Sequence, residues 1–303
     1  MKNHLYTSSF SKKNLFLGIL LSLLIILFIS YFVNFIIQNS SYRLSMIYGS
    51  HNLNYKNYFL GNSRSVPFNQ KNLNHINYVY NLSHNSMNYF EVENIIKTIK
   101  KKQPENKNIF IEITSLIHND IQCQYSIFSH LNFYPSKKNI IDFCKKKFFL
   151  EKFFPIIKVN DEIFYRVFYY FVFPKKDQEW SNNYAMPKST CDEPNITPFL
   201  ESIIDINSIK IMKTRAEKLD KLYSDNITKI FFYITPVYSK NNYALNIENE
   251  LLKNSPKNFL RLNSLLNKNF YKDCNMFADT LHLSKSGVSM VDKILFHDKK
   301  IFY

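Results

Sequence analysis

The feature that most constrains the fold of this chain is an apolar run from Leu15 to Ile37 that contains no charged residue. At about 1.5 Å per residue, a helix of this length crosses the hydrocarbon core of a bilayer, which is about 30 Å thick. The run exceeds the apolar core of a cleavable signal peptide, and no small-x-small cleavage site follows it. It therefore predicts an uncleaved signal-anchor helix rather than a removed leader.

The basic residues around this run predict its orientation. Lys2, Lys12 and Lys13 precede it, whereas Arg43 and Lys56 are the nearest basic residues after it. Positive charge is enriched on the cytoplasmic side of membrane helices, so the amino terminus is predicted in the cytoplasm. The predicted single-pass organisation is a cytoplasmic segment 1–14, a transmembrane helix 15–37, a stalk 38–57 and a periplasmic or extracellular domain 58–303.

The chain is basic, with a formal charge of +15 over 303 residues. Lys and Arg are spread along the chain and are not gathered into one stripe, which argues against a nucleic-acid partner. We interpret the charge as compositional background, with attraction to acidic glycans or anionic lipid as the alternative interpretation.

Four cysteines lack C-x-x-C spacing, so no zinc site is predicted, and no other metal or cofactor motif stands out. In an oxidising compartment they can pair, and buried unpaired thiols are an equally good interpretation. A Cys123–Cys144 bridge closes the shortest loop. The four are Cys123, Cys144, Cys191 and Cys274.

Strand-like and helix-like segments alternate in the extracytoplasmic part, which predicts an α/β three-layer sandwich with a central, mostly parallel sheet. An aromatic-rich, proline-interrupted insertion or cap at about 121–198 separates the two halves, with helical pieces at 143–154 and 163–173. The predicted strands are 58–60, 76–82, 108–114 and 229–236. The predicted helices are one that opens at Asn88 or Glu91 and ends at Pro104, then 206–223, 255–266 and a final helix capped by Ser284, with an extended piece at 269–277.

One serine follows the first strand in a tight turn, Gly61-Asn62-Ser63, which leaves its hydroxyl available as a nucleophile. Such a hydroxyl needs a base to take its proton and an acid to orient that base. Asp279 and His282 supply both near the other end of the chain, and their spacing lets both project from one side of a tight turn. The alternative interpretation is that these two residues cap the final helix.

This set resembles the SGNH/GDSL hydrolase superfamily, with Gly61-Asn62-Ser63 as its first block and Asp279-Thr280-Leu281-His282 as its last. The resemblance implies Ser63 as nucleophile, His282 as base and Asp279 as its acid, on an SGNH or flavodoxin-like fold. The layout is similar to membrane-anchored members such as the D-alanyl transfer protein and the O-acetyltransferases of exported polysaccharides.

The middle blocks of that family supply its oxyanion hole, and here they differ. Residues 81–86 resemble the second block, with Asn85 and Ser86 as candidate donors beside Ser63 itself. The strand that should lead to Gly-x-Asn-Asp instead gives Glu112-Ile113-Thr114. Asn119 follows a few residues late. Losing one oxyanion donor costs about 2.7–4 kcal/mol of transition-state stabilisation.

Three residues are candidates for contact with a substrate. Arg64 follows the serine, His84 lies in the second-block loop, where a solvated position is the alternative, and Trp180 is suited to stack on a sugar or to act as a buried anchor. The function implied by the resemblance is an extracytoplasmic serine esterase or O-acyltransferase that acts on an envelope polysaccharide through an acyl-serine, with a membrane-bound acyl donor protein as a possible partner. The alternative is a catalytically silent SGNH-like domain that binds glycan or a partner protein in envelope assembly.

Overall fold

The computed structural model describes residues 12–40, 54–84, 87–117, 168–174, 205–238, 243–253 and 258–297. The chain divides into two compact units, Met1–His51 with Gln122–Pro174, and Asn52–Ile121 with Lys175–Tyr303. The predicted helix at 143–154 and the cysteines other than Cys274 lie outside the described residues.

The first unit contains one long helix, α1 (Lys12–Asn39), which confirms the helix predicted at 15–37. Its stretch Asn14–Val33 is long and apolar enough to cross a membrane, as in a membrane anchor or a signal sequence. The side chains along this stretch are largely exposed, as expected for a helix that meets hydrocarbon rather than a protein core. Near its end, the rings of Phe35 and Phe171 meet edge to face at 6.1 Å.

The second unit is built on a parallel four-stranded sheet in the order β2-β1-β3-β4, which confirms the α/β prediction. The strands are shorter than predicted. Strand β2 starts only after Tyr78, whose φ of 56° is left-handed and interrupts an extended chain. Strand β3 stops at Glu112 because Ile113–Leu116 winds into a 3₁₀ turn. The strands are β1 (Asn57–Leu60), β2 (Val79–Asn81), β3 (Lys107–Glu112) and β4 (Thr228–Tyr233).

Two amphipathic helices, α2 (Tyr89–Lys102) and α3 (Ile206–Tyr223), cover one face of the sheet. Both were predicted, and α2 begins in a capping box in which Asn88 and Glu91 bond each other's backbone N–H groups. Their buried residues repeat at helical spacing, so each helix presents one apolar stripe inward. Those residues are Val92, Ile95, Ile96 and Ile99 in α2, and Met212, Ala216 and Leu219 in α3.

The opposite face is an aromatic core closed by the end of the chain. Phe59 and Phe110 stack at 4.8 Å between ring centroids, and Phe110 and Phe231 at 5.2 Å. Val288 and Val291 of the last helix pack into the same cluster. The helices beyond β4 are α4 (Tyr243–Leu252), which was not predicted, α5 (Leu262–Leu265), shorter than the predicted 255–266, and α6 (Lys285–Asp292).

The prediction of an extended piece at 269–277 is wrong. Two 3₁₀ turns, Lys268–Lys272 and Cys274–Met276, occupy it, because Asn267 and Asp273 each cap the turn that follows with a side-chain oxygen. The predicted cap of the last helix is confirmed, since Ser284 Oγ accepts from the Gly287 N–H.

The strand order places a topological switch point between β1 and β3. The chain leaves β1 toward β2 on one side and leaves β3 toward β4 on the other, so the two connections diverge. In open parallel sheets, sites form at this point, beyond the carboxyl ends of the strands. The turn after β1 and the 3₁₀ turn after β3 therefore lie side by side at that edge.

Candidate functional site

The turn after β1, residues 61–65 and here called the serine turn, presents a single side chain. Asn62 begins the 3₁₀ turn Ser63–Ser65, and its Oδ1 accepts from the Arg64 N–H at 3.1 Å. Within 61–69 only Ser63 is partly exposed, and its neighbours are buried. The serine turn thus fixes its backbone inward and points one hydroxyl outward.

The acid and the imidazole come from a turn immediately before α6. The N–H groups of Leu281 and His282 donate to Asp279 Oδ1 at 2.8 and 2.9 Å. The same carboxylate lies 2.8 Å from His282 Nδ1. Neither residue caps α6, because Ser284 does so. The helix-cap interpretation of this pair is therefore wrong.

The two turns meet at this edge of the sheet, where His282 Nε2 lies 2.9 Å from Ser63 Oγ. Because an ionised Asp279 can only accept, the proton of a neutral imidazole sits on Nδ1, and the lone pair of Nε2 faces the hydroxyl. Ser63, His282 and Asp279 therefore form a continuous hydrogen-bonded chain in the order a nucleophile, a base and an orienting acid require. The Asp279 side chain is 56% exposed and that of His282 22%, so the chain opens to solvent.

Partial burial raises the pKa of the Asp279 carboxyl, but the hydrogen bond and charge of His282 and two backbone N–H groups outweigh it and lower that pKa overall. Asp279 is thus ionised throughout the neutral range. Since its pKa in the folded state lies below that of the unfolded chain, the pairing stabilises the fold above the unfolded value. The contribution is lost as the pH falls through the folded pKa.

Of the candidate oxyanion-hole donors, only Ser63 lies in the part of the chain that the structure describes. The backbone N–H of Ser63 has no acceptor in the described part of the chain. Asn62 does not contribute its amide, since Nδ2 donates inward to Thr114 Oγ1 at 2.9 Å. Asn85, Ser86 and Asn119 lie outside the described residues.

The two described candidates for substrate contact are both buried. Arg64 is 1% exposed, and its Nη2 donates to Glu112 Oε1 at 2.8 Å beneath the serine turn. His84 is 6% exposed, with Nε2 3.7 Å from Glu91 Oε2, so it is not solvated. Arg64 serves the interior of the fold, which corrects its sequence-based role, because its guanidinium is buried against Glu112. Trp180 lies outside the described residues.

Further polar residues around the serine turn were missed as site residues. Asn81 Nδ2 donates to the carbonyls of Ser65, Val66 and Phe68, and so closes the far end of the turn. Ser65 Oγ lies 2.5 Å from the hydroxyl of Tyr233, whose pKa burial raises well above its ordinary value.

A charged residue at the end of an apolar strand was the available signal for Glu112. Buried carboxylates are rare without a partner, so Ile-Phe-Ile-Glu predicts a buried cation beside Glu112, and the structure identifies that cation as Arg64.

Two further features limit the chemistry that the site can support. Within the described ranges, no group of three or more His, Cys, Asp or Glu side chains could hold a metal ion. Cys274, shortly before Asp279 in the chain, is disulfide-bonded.

No protein-family model matches the chain, and comparison with curated proteins also finds no match.

Proposed function

We propose that this protein is a serine esterase or O-acyltransferase of the SGNH/GDSL type that acts on a cell-envelope polysaccharide outside the cytoplasm. The observation that carries the proposal is the 2.9 Å approach of His282 Nε2 to Ser63 Oγ, with Nδ1 held by Asp279. The resemblance of the first and last blocks to that superfamily supplies the substrate class, because a triad alone does not define one.

The proposed reaction has two halves. His282 Nε2 takes the Ser63 proton as Oγ attacks the acyl carbonyl, and the Ser63 N–H donates to the developing oxyanion. The imidazolium then protonates the leaving oxygen, which departs and leaves acyl-Ser63. Water or a sugar hydroxyl next gives its proton to His282 and attacks the acyl carbon. The bond from that carbon to Ser63 Oγ then breaks, and the imidazolium returns the proton to Oγ. Asp279 stays ionised throughout and stabilises the imidazolium.

The apolar helix supports the location. As an uncleaved anchor with its amino terminus in the cytoplasm, α1 keeps the second unit on the extracytoplasmic side of the membrane that it spans. An envelope glycan and a membrane-bound acyl donor protein lie on that side. A disulfide at Cys274 is in keeping with an oxidising compartment.

A catalytically silent domain of the same type, which binds glycan or a partner protein in envelope assembly, is the second candidate. It is favoured by the third block, where Glu112 and Thr114 replace the expected Gly-x-Asn-Asp, and by Asn62, whose amide is bonded to Thr114. None of these three side chains offers a donor to an oxyanion at Ser63.

Labelling with a fluorophosphonate tests the enzyme directly, because this probe reacts with an activated serine. We expect the full chain in detergent to be labelled and the Ser63→Ala and His282→Ala variants to stay unlabelled. Ser208→Ala, which removes a hydroxyl in α3, is the matched control and should label like the wild type. Folded wild-type protein that neither labels nor hydrolyses p-nitrophenyl acetate would favour the silent domain. In cells, Ser63→Ala should lower acylation of the envelope polysaccharide.

A further inference from the structure

A buried charged network lies directly beneath the serine turn. Glu112 is 0% exposed and Arg64 1%, and the two are joined by a 2.8 Å ion pair. Thr114 Oγ1 lies 2.5 Å from Glu112 Oε2 and also accepts from Arg64 Nη2. The N–H of Thr235, two residues beyond the end of β4, adds a longer contact of 3.4 Å to Glu112 Oε1. The network thus joins the carboxyl ends of three strands.

The chemistry of the carboxylate sets the direction of each bond in this network. An ionised Glu112 has no proton to donate, so the Thr114 hydroxyl must donate to it. The remaining lone pairs of Thr114 Oγ1 then accept from Asn62 Nδ2, at 2.9 Å. With its NH₂ group committed to Thr114, Asn62 turns its Oδ1 toward the Arg64 N–H, at 3.1 Å.

The last bond in this chain is the cap of the 3₁₀ turn that carries Ser63. The orientation of the Asn62 amide is therefore set by Glu112 through one hydroxyl, and Arg64 returns to the same carboxylate from within the turn. Asn81 holds the other end of the turn through three carbonyls. The proposed function needs Ser63 Oγ within hydrogen-bond reach of His282, and these contacts fix where that hydroxyl lies.

We infer that Glu112 and Thr114 are positioning residues for the Ser63 nucleophile, acting through Asn62 and Arg64. The inference rests on the proposed function, since it assigns these residues a part in the same reaction. Neither side chain touches the acyl group. Their effect is to hold the serine turn in the conformation in which Ser63 faces His282.

A matched pair of variants at Thr114 separates this role from simple packing. Thr114→Val keeps the shape and removes the hydroxyl, whereas Thr114→Ser keeps the hydroxyl and removes a methyl group. A displacement of a reacting group by about 1 Å costs about 10²-fold in rate. Thr114→Val should therefore slow fluorophosphonate labelling of Ser63 by about 10–100-fold. The labelling rate of Thr114→Ser should stay within about threefold of the wild-type rate. All rates are measured at a temperature at which circular dichroism shows each variant folded.

Glu112→Gln tests the carboxylate itself. A Gln amide can donate to Thr114, which frees the threonine proton to face Asn62 and reverses the Asn62 amide, so labelling should again slow. Asp292→Asn is the control, because Asp292 is equally buried and accepts from the N–H groups of Asn74 and His75 at the opposite end of the strands. It should lower stability and leave the labelling rate of the folded protein unchanged.

Crystal structures of the Thr114 variants distinguish a failure of the positioning role from a failure of the proposed enzyme function. In Thr114→Val, Ser63 Oγ should move away from His282 Nε2 by about 0.5 Å or more, with the wild-type separation kept in Thr114→Ser. Equal labelling rates for the two variants, with Ser63 unmoved, would overturn the positioning role and leave the proposed enzyme standing. An unlabelled wild type with Ser63 displaced only in Thr114→Val would overturn the enzyme, and Thr114 would then hold the serine turn without a part in any reaction.

Discussion

At the scale of single residues, the site depends on a close approach that only glycine permits. A Cβ built on Gly61 would lie 2.6 Å from Glu112 Cβ and 2.9 Å from Ser65 Cβ. Both contacts are with atoms attached directly to the backbone, so no side-chain rotation relieves them. Gly61 has an ordinary φ, and its role is to let the ends of β1 and β3 touch.

Gly61→Ala should therefore destabilise the fold and disturb the serine turn. Overpacking of this kind costs about 1–3 kcal/mol, which is measured as a lower unfolding midpoint in denaturant. Gly18→Ala is the control, since no atom lies within 4 Å of a Cβ at that position, and it should leave the midpoint unchanged. An unchanged midpoint for Gly61→Ala would contradict the close approach.

The sequence pointed to the three residues that the structure brings into hydrogen-bond contact, but not to the residues that support them. Ser63, Asp279 and His282 stand out because a turn serine and an acid three positions before a histidine are recognisable in one dimension. Thr114 meets Asn62, and Glu112 meets Arg64, only because β1 and β3 are neighbours in the sheet. Arg64 was assigned to substrate for the same reason, since its partner is 48 positions away.

At the scale of elements, local signals decide the helices. The capping box at α2 satisfies two backbone N–H groups that the first turn leaves unpaired, through Asn88 and Glu91 at 3.1 and 3.0 Å. The cap at α3 is looser and exposed, with Ser208 N–H 3.4 Å from Asp205 Oδ2. The two helices therefore begin with caps of unequal strength on the same face of the sheet.

Asn88→Ala should lower the free energy of unfolding by about 1 kcal/mol, the usual value of an N-cap. Asp205→Ala should cost less, because its bond is longer and open to water. Thermal unfolding of both variants measures the difference, which for a domain of this size is about 2–4 °C per kcal/mol. Equal losses for the two variants would contradict the ranking.

Elements without such signals were predicted less well. The sheet and helices α2, α3 and α6 follow from apolar periodicity and caps. Residues 268–276 contain no helical stripe, and side-chain caps from Asn267 and Asp273 decide their conformation. Helix α4 buries Ile247 and Leu251 on a short apolar stripe. The residues that this stripe packs against lie elsewhere in the fold, so the local sequence offered little sign of the helix.

At the scale of the whole molecule, the proposed location depends on whether α1 is kept as a membrane anchor or removed as a signal sequence. A membrane anchor and a signal sequence share the length and apolar character of Asn14–Val33. No small-x-small site follows the helix, and our proposal requires that it be kept.

We therefore expect the mature protein to retain its amino terminus. Chains tagged at both ends should show both tags on one full-length band in the membrane fraction after an alkaline wash. An Ala-x-Ala site introduced after Ile37 is the control for processing and should release a shorter, soluble product. Loss of the amino-terminal tag from the wild type would show that α1 is a signal sequence.

The hydrogen bond between Ser63 and His282 joins positions 219 residues apart. The hydroxyl is therefore synthesised 219 residues before the imidazole that is proposed to activate it. A polypeptide that is still being synthesised, or that stops before the turn at Asp279, carries an inert serine. If the chain is exported as proposed, reactivity begins only after the turn at Asp279 has crossed the membrane, so no active enzyme forms in the cytoplasm.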